Sequence, residues 1–462
     1  MPPQIATVVF VLGILGLFWL DRDREARTSK ALWIPVLWLL INGSRSVSQW
    51  MESGPIVDSP ERYVEGRPLD AFVFGTLLAA GLIVLVGRRQ QVWLLLRANG
   101  PILLFFSYCA LSTLWSDYPF VAFKRWTKAV GDVVMVLIVL TDPDRLSALK
   151  RLLARAAFLL VPVSVLFIKF YPDLGRSYNQ WTWLPMYSGV TTGKNMLGMA
   201  CLVFGLGSVW RFFQAFRAGE GSRRAGPLIA HGIILAMVVW LLWIANSMTS
   251  LSCFIMAGGL IAITSLVRLA RKPATVHLLV AALVSVSFSA LFLDVGGGAL
   301  ETMGRDSTLT GRTEIWSTVL RVAENPLLGT GFESFWLPGR IQRLWDVFGL
   351  HIQEAHNGYL EVYLNLGWCG VTLLAILIVT GYRNVFVAFR RDPDAGVLRL
   401  AFFVAGVVYS FAEAGFRAMS PIWIVFLLAT TAVPEPSVLN APNLDKQVTP
   451  PHYWVREYEE VV

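Results

Sequence analysis

His356, in the run Gln353-Glu354-Ala355-His356-Asn357-Gly358, is the residue of this sequence best placed to move a proton. An imidazole titrates near neutrality. At the start of an apolar helix it would meet a lipid-borne substrate at the water boundary and could take a proton from its hydroxyl. The same position would also suit an interfacial helix cap, and the ring's neighbours in sequence do not separate the two roles. Of the other histidines, His231 and His277 fall near the basic ends of apolar runs, His452 is in the tail, and His351 precedes His356. The complementary chemistry is anion binding, because a guanidinium fork holds phosphate oxygens two at a time. On the same side as His356 lie Arg45, Arg62, Arg67, Lys124, Arg125, Arg176, Lys194, Arg305, Arg312, Arg340, Arg343 and Arg417. For most of them a solvated loop charge or a headgroup contact is role enough. Arg125 and Arg417 stand out, at span edges beside Trp126 and Phe416. Glu413, four residues before Arg417, could neutralise it along one helix face.

These side chains sit in a strongly apolar chain. Its 462 residues are 55% hydrophobic, 13% aromatic and 15% charged, with a mean hydropathy of +0.57. That excludes disordered, collagenous and small disulfide-rich classes, leaving an all-helical polytopic membrane protein. The net charge of +8 then points to loops against an anionic leaflet, with no nucleic-acid partner required. Cys109, Cys201, Cys253 and Cys369 lie in or beside apolar runs without metal or redox spacing, so neither a disulfide framework nor a metal site is expected. No phosphate loop or Asp-rich cation cluster is visible, and Gly297-Gly298 is a loop entrance.

A span needs about 20 apolar residues, and about thirteen runs are candidates: 4–20, 31–44, 70–87, 101–115, 121–141, 154–171, 196–213, 227–246, 250–267, 275–294, 360–381, 397–412 and 419–434. The weakest are 31–44, which is short, and 121–141, which carries Lys124, Arg125, Lys128 and Asp132. Alternate connections are basic, from Arg22, Arg24, Arg27 and Lys30, through Arg223, Arg224, Arg268 and Arg271, to Arg383, Arg390 and Arg391. The positive-inside rule makes that side cytoplasmic, with the amino terminus outside and the tail inside. The first run lacks basic residues before it and has them after it, the reverse of a cleavable signal peptide. Between Leu293 and Tyr359 lies a loop with the pattern of a small folded cap. Ile315, Val319 and Val322 share a helical face, Glu324-Asn325-Pro326 ends it, and a second apolar piece runs from Phe335 to Leu350.

At His356-Asn357, nine residues, then Gly367-Trp368-Cys369-Gly370, the sequence resembles the O-antigen ligase and Wzy-type polymerase superfamily, which includes exopolysaccharide polymerases. The second hallmark of that family, an arginine, an aromatic and Asn-Pro-x-x-Gly-x-Gly, reads here as Arg312, Trp316 and Asn325-Pro326-Leu327-Leu328-Gly329-Thr330-Gly331. The likeness is most specific over 305–375, with looser matches at Trp115-Ser116-Asp117-Tyr118-Pro119 and Gly193-Lys194-Asn195. It implies an inverting, metal-independent glycosyltransferase without cofactors in a bacterial inner membrane. The donor would be an undecaprenyl diphosphate-linked glycan and the acceptor a glycan or lipid-linked sugar, with membrane lipids and polysaccharide export proteins as partners. His356 would activate the acceptor and Arg312 would stabilise the leaving diphosphate. Arg125, Arg176, Lys194 and Arg417 are helpers assigned by side alone, and Glu354 or Glu361 would orient the imidazole. The implied parts are a bundle over 1–294, a periplasmic catalytic loop over 295–359, further spans over 360–434 and a cytoplasmic tail over 435–462. A polymerase is favoured over a ligase to lipid A core. A transporter or flippase would need mid-bilayer binding groups and internal repeats, and a scaffold would need neither His356 nor Arg312.

Overall fold

The computed structural model describes residues 1–434 apart from Arg24, 52–63, 65, 179–183, 219–221, 268–271, 293–308 and Leu350, and without the side chains of 222–224 and 309–311. Arg62, Arg305, Arg24, Arg268, Arg271, the Gly297-Gly298 entrance and the tail from 435 lie outside the described residues, as do the side chains of Arg223 and Arg224.

The chain is the all-helical multi-pass membrane protein its composition calls for. In order, α1 is Pro3–Leu20, α2 Trp33–Asn42, α3 Pro68–Gly87, α4 Arg89–Ala98, α5 Gly100–Ser112, α6 Pro119–Leu140, α7 Arg145–Phe170, α8 Lys194–Arg217, α9 Ser222–Ala245, α10 Met248–Leu266 and α11 Pro273–Phe292. After them come α12 Leu309–Val322, α13 Arg340–Phe348, α14 Gly358–Arg391, α15 Pro393–Tyr409 and α16 Pro421–Thr430. A two-stranded antiparallel hairpin, β1 Arg176–Tyr178 and β2 Pro185–Tyr187, precedes α8.

Eight described helices are long and apolar enough to cross a membrane, or nine if α4 and α5, bent by 88°, count as one span. Sequence alone suggests about thirteen, and the difference has physical causes. Residues 30–42, α15 and α16 are too short. In α6, Lys124, Arg125, Lys128 and Asp132 fall within every span-length window. These four segments nevertheless pack into the bundle, and α15 and α16 are buried along almost their whole length. A helix enclosed by other helices needs neither the length nor the uniform apolarity of one that faces lipid. By contrast α1 and α11 are mostly exposed apolar surface, as lipid contact requires.

Polar pairs mark the two ends of the bundle. At one end Arg211 pairs with Asp21 at 2.7 Å and Arg88 with Asp142 at 3.8 Å, among the basic connections. At the other, α14 begins, Thr7 meets the Tyr171 hydroxyl at 2.8 Å, and the connection between α12 and α14 folds over the helix ends. The expected cap has a core of its own. Val319, Phe335, Trp336, Ile341, Leu344, Trp345 and Ala355 are buried together with Leu364 of α14, and Ile315 and Val322 pack against them. Arg340 of α13 pairs with Asp117, and Ser116 bonds Ser334 at 2.8 Å, tying the cap to the turn before α6.

Candidate active site

The site begins with the backbone. α14 does not run straight, because Gly367 adopts φ 62° and ψ −165° inside it. The break frees peptide groups that a continuous helix would use, and the Asn325–Gly331 segment takes them. Trp368 N–H donates to Pro326 O at 2.9 Å and Cys369 N–H to Leu327 O at 3.2 Å, while Thr330 N–H and Gly331 N–H donate to Leu364 O and Asn365 O at 3.2 and 2.8 Å. The two sequence hallmarks are therefore two sides of one splice between loop and helix. Gly329 and Gly331 have φ of 70° and 95°, a region only glycine enters without cost. A Cβ on Gly367 would lie 2.2 Å from Leu327 O. Gly367→Ala is thus expected to lose at least about 1–3 kcal/mol of stability from backbone strain, read as a lowered thermal transition in detergent. An unchanged transition would mean the splice does not depend on that residue.

Above the splice Asn357 caps α14, its carboxamide oxygen accepting from Tyr359 N–H and Leu360 N–H at 3.0 Å each. Its amide group donates to Phe411 O at 3.3 Å, reaching the segment between α15 and α16. The Asn of the His-Asn pair is therefore structural. Gly370 completes the motif, and a Cβ there would lie 2.2 Å from Leu366 Cβ.

His356 precedes the cap at φ 50°, a left-handed conformation that costs a residue with a Cβ about 1–2 kcal/mol. Of the four non-glycine residues with positive φ among the described ones, Glu333, His356 and Met419 all border this site, in keeping with the clustering of backbone strain at functional sites. His356 Nδ1 lies 3.0 Å from Glu354 Oε1 and 3.1 Å from Glu413 Oε2. Its Nε2 has no partner among the described residues. Glu413 Oε1 accepts from Arg312 Nη2 at 3.1 Å, and Arg312 Nη1 donates to Ala412 O at 2.6 Å. One carboxylate thereby bridges the two residues singled out in the sequence. Arg417 adds a second layer, 3.7 Å from both Glu333 Oε2 and Glu354 Oε2, and Arg125 donates to Glu333 O.

Burial opposes charge on His356, but the hydrogen bonds and negative charges of Glu354 and Glu413 outweigh it and raise its pKa to about 10. Burial likewise works against the Glu354 carboxylate. The His356 hydrogen bond and the charges of His356, Arg417 and Arg312 overcome it and hold that group below its usual range. Ligand atoms of Glu354, His356 and Glu413 all lie within 4.8 Å of one another, a spacing that could hold a cation. Arg312 lies 3.1 Å from Glu413 and Arg417 3.7 Å from Glu354, so ion pairing already offsets part of the charge of these two carboxylates.

Next to this cluster a narrow, partly open cleft runs down between α5, α6, α14 and α16. Glu333, Glu361 and Arg417 give it a polar side, and Phe105, Phe332 and Trp423 an apolar one.

Four expectations need correction. Glu413 does not neutralise Arg417 along a helix, because 410–420 is irregular and Glu413 turns to Arg312 and His356. Glu361 does not orient the imidazole. It is buried, accepting from Ala355 N–H at 2.5 Å and from Trp336 Nε1 at 2.9 Å. Arg176 lies outside the cluster, donating to Ile168 O at 2.9 Å beside the Tyr187 ring. Lys194 is exposed at the start of α8, also outside it. Sharing a side of the membrane is a weaker condition than converging on a point. Glu333, missed in sequence, carries no motif; its signal is its left-handed backbone, invisible without coordinates.

Residues 182–375 match the O-antigen ligase family model. Over 343 residues, 70% of this chain and 74% of the relative, the sequence is 28% identical to the exopolysaccharide production protein ExoQ of Rhizobium meliloti (strain 1021). Both matches support the resemblance of this chain to the O-antigen ligase/Wzy-type superfamily. The matched family region contains Arg312, Glu354, His356 and the splice, whereas Arg125, Glu413 and Arg417 lie beyond its bounds.

Proposed function

We propose that the chain is an inner-membrane glycosyltransferase of polysaccharide biosynthesis. It moves a glycan from an undecaprenyl diphosphate carrier to an acceptor sugar hydroxyl on the periplasmic side. The observation that carries this reading is the bridge His356–Glu413–Arg312, which joins a proton acceptor and a guanidinium through one carboxylate. Carboxylates on Nδ1 fix the tautomer whose Nε2 lone pair faces outward, the form a general base requires. The hydroxyl gives its proton to Nε2 as its oxygen attacks the anomeric carbon. The carbon–oxygen bond to the diphosphate breaks on the opposite face, its electron pair stays on the departing diphosphate oxygen, and Arg312 stabilises that negative charge, with Arg417 and Arg125 nearby. No metal ion is assigned to this step. Placement of the cluster at the bundle's end, near the entrance of an amphipathic cleft, suits a substrate with a lipid part and a sugar part better than a transporter's mid-bilayer site. The exopolysaccharide named for the relative favours polymerisation over ligation to lipid A core.

The test is transfer by the purified protein, given a defined undecaprenyl diphosphate oligosaccharide and sugar acceptors. Elongated carrier-linked chains are expected; no product with any acceptor would overturn the reading. The pH profile tests the role of the ring. With a pKa of about 10, the neutral fraction grows about tenfold per unit between pH 7 and 9, and transfer should grow with it. Glu354→Gln removes a negative neighbour, so the ring loses its proton at lower pH and the rise shifts to more acidic values. A wild-type rate that stays flat or falls with rising pH would assign His356 to charge holding instead.

A further inference from the structure

Asp132 is fully buried, two helical turns below Arg125 on α6. Burying a carboxylate is costly unless its oxygens are hydrogen-bonded. Here Oδ1 accepts from Trp38 Nε1 of α2 and Oδ2 from the Met419 N–H, both at 2.8 Å. It makes no ion pair with a described residue; the charged groups on its own helix are Lys124, Arg125 and Lys128, with Asp70 of α3 near Lys128. The Met419 contact is the informative one. Residues 410–420 have no helical hydrogen-bond ladder to hold their course, yet they supply Glu413 and Arg417. Their near end is fastened from the site itself, with Ser410 O accepting from Gly358 N–H at 2.8 Å, Phe411 O from Asn357, and Ala412 O from Arg312. Met419, at φ 65°, is fastened at the far end to Asp132. Ala129 and Ala418, the neighbours of this contact, line the cleft.

We propose that Asp132 is a positioning residue: through the Met419 amide it holds the 410–420 segment in the conformation that brings Glu413 and Arg417 to Glu354, His356 and Arg312. The inference rests on the reading of that cluster as the reactive site. Its separate physical content is a coupling between a buried carboxylate on α6 and the protonation of an imidazole before α14. The groups facing His356 are Glu354 on its own segment, Glu413 from 410–420 and, through these, Arg312 and Arg417.

The experiment uses the full-length protein in detergent and diethyl pyrocarbonate, which acylates neutral imidazole and spares imidazolium. Acylation of His356 at pH 7 is followed by peptide mass spectrometry. Asp132→Asn keeps the size of the side chain but turns an NH2 group toward one of the two N–H donors. If Glu413 leaves the ring, acylation should speed up about tenfold for each unit by which the His356 pKa falls. Trp38→Phe deletes the other donor, leaves the Met419 contact, and should acylate at the wild-type rate. An unchanged rate in Asp132→Asn, or equal acceleration in Trp38→Phe, overturns the proposal. Should Asp132→Asn fail to fold, hydrogen exchange in the wild type decides: the Met419 amide should be among the protected ones, and rapid exchange overturns the proposal. Neither readout needs substrate, so absence of glycan transfer would count against the activity and leave this coupling standing or falling separately.

Discussion

Replacing His356 by alanine is expected to slow glycan transfer by about 100- to 10,000-fold, the usual worth of a positioned general base, while the protein still inserts and folds. The fold should survive because the ring is partly exposed, about 30%, at the rim of the site and caps nothing; the cap of α14 is Asn357. Removing a residue from a left-handed position does not add strain, since alanine pays the same backbone cost there. Some ion-pair energy would be lost, and Glu354 and Glu413 would repel each other without the imidazole between them. Arg312 and Arg417 remain to balance them. A purified His356→Ala protein with wild-type elution, a slightly lowered melting temperature and transfer slowed on that scale is therefore the expected result, measured as product chains per time at saturating donor. Undiminished transfer would sink the base assignment.

The second large effect is expected from Arg312→Ala, about 100- to 1,000-fold in kcat, the scale of losing one preorganised donor to a charge that develops in the transition state. Arg312 is mostly shielded and already oriented by Ala412 O and Glu413, so the guanidinium needs little reorganisation when the diphosphate departs. Arg312→Lys should recover only part of the loss, because an ammonium cannot hold the Ala412 carbonyl and the carboxylate in the same fork. Because Glu413 links Arg312 to His356, the two substitutions should be non-additive: the double variant should be little slower than the worse single one. Additive losses would mean the residues act in separate steps. Loss in KM alone would make Arg312 a ground-state anchor.

Much of this site was readable in the chain, and the parts that were not share a cause. His356, Arg312 and the glycines could be found because local spacing marks them. The glycine-rich run is legible as part of the second hallmark, and the structure makes it a partner for the broken α14. Glu413 was visible but misread, since a spacing of four implies a shared face only where the backbone is helical, and 410–420 is not. Arg176 and Lys194 were chosen by side of the membrane, which fixes one coordinate out of three. Among the spans, the exposed helices α1, α3 and α11 read clearly, whereas α6 and α16 owe their place to burial by neighbours that no window of sequence contains.

The bonds of the splice at Gly367 run between peptide groups and not between side chains. Side chains at Pro326, Leu327, Leu328, Leu364 and Asn365 ride on it without supplying those bonds. A scaffold of that kind separates what must be kept from what can be varied. The rim above it can be re-tailored to another sugar while the spine that aims the imidazole stays as it is, so diversity of product and constancy of chemistry can coexist in one architecture.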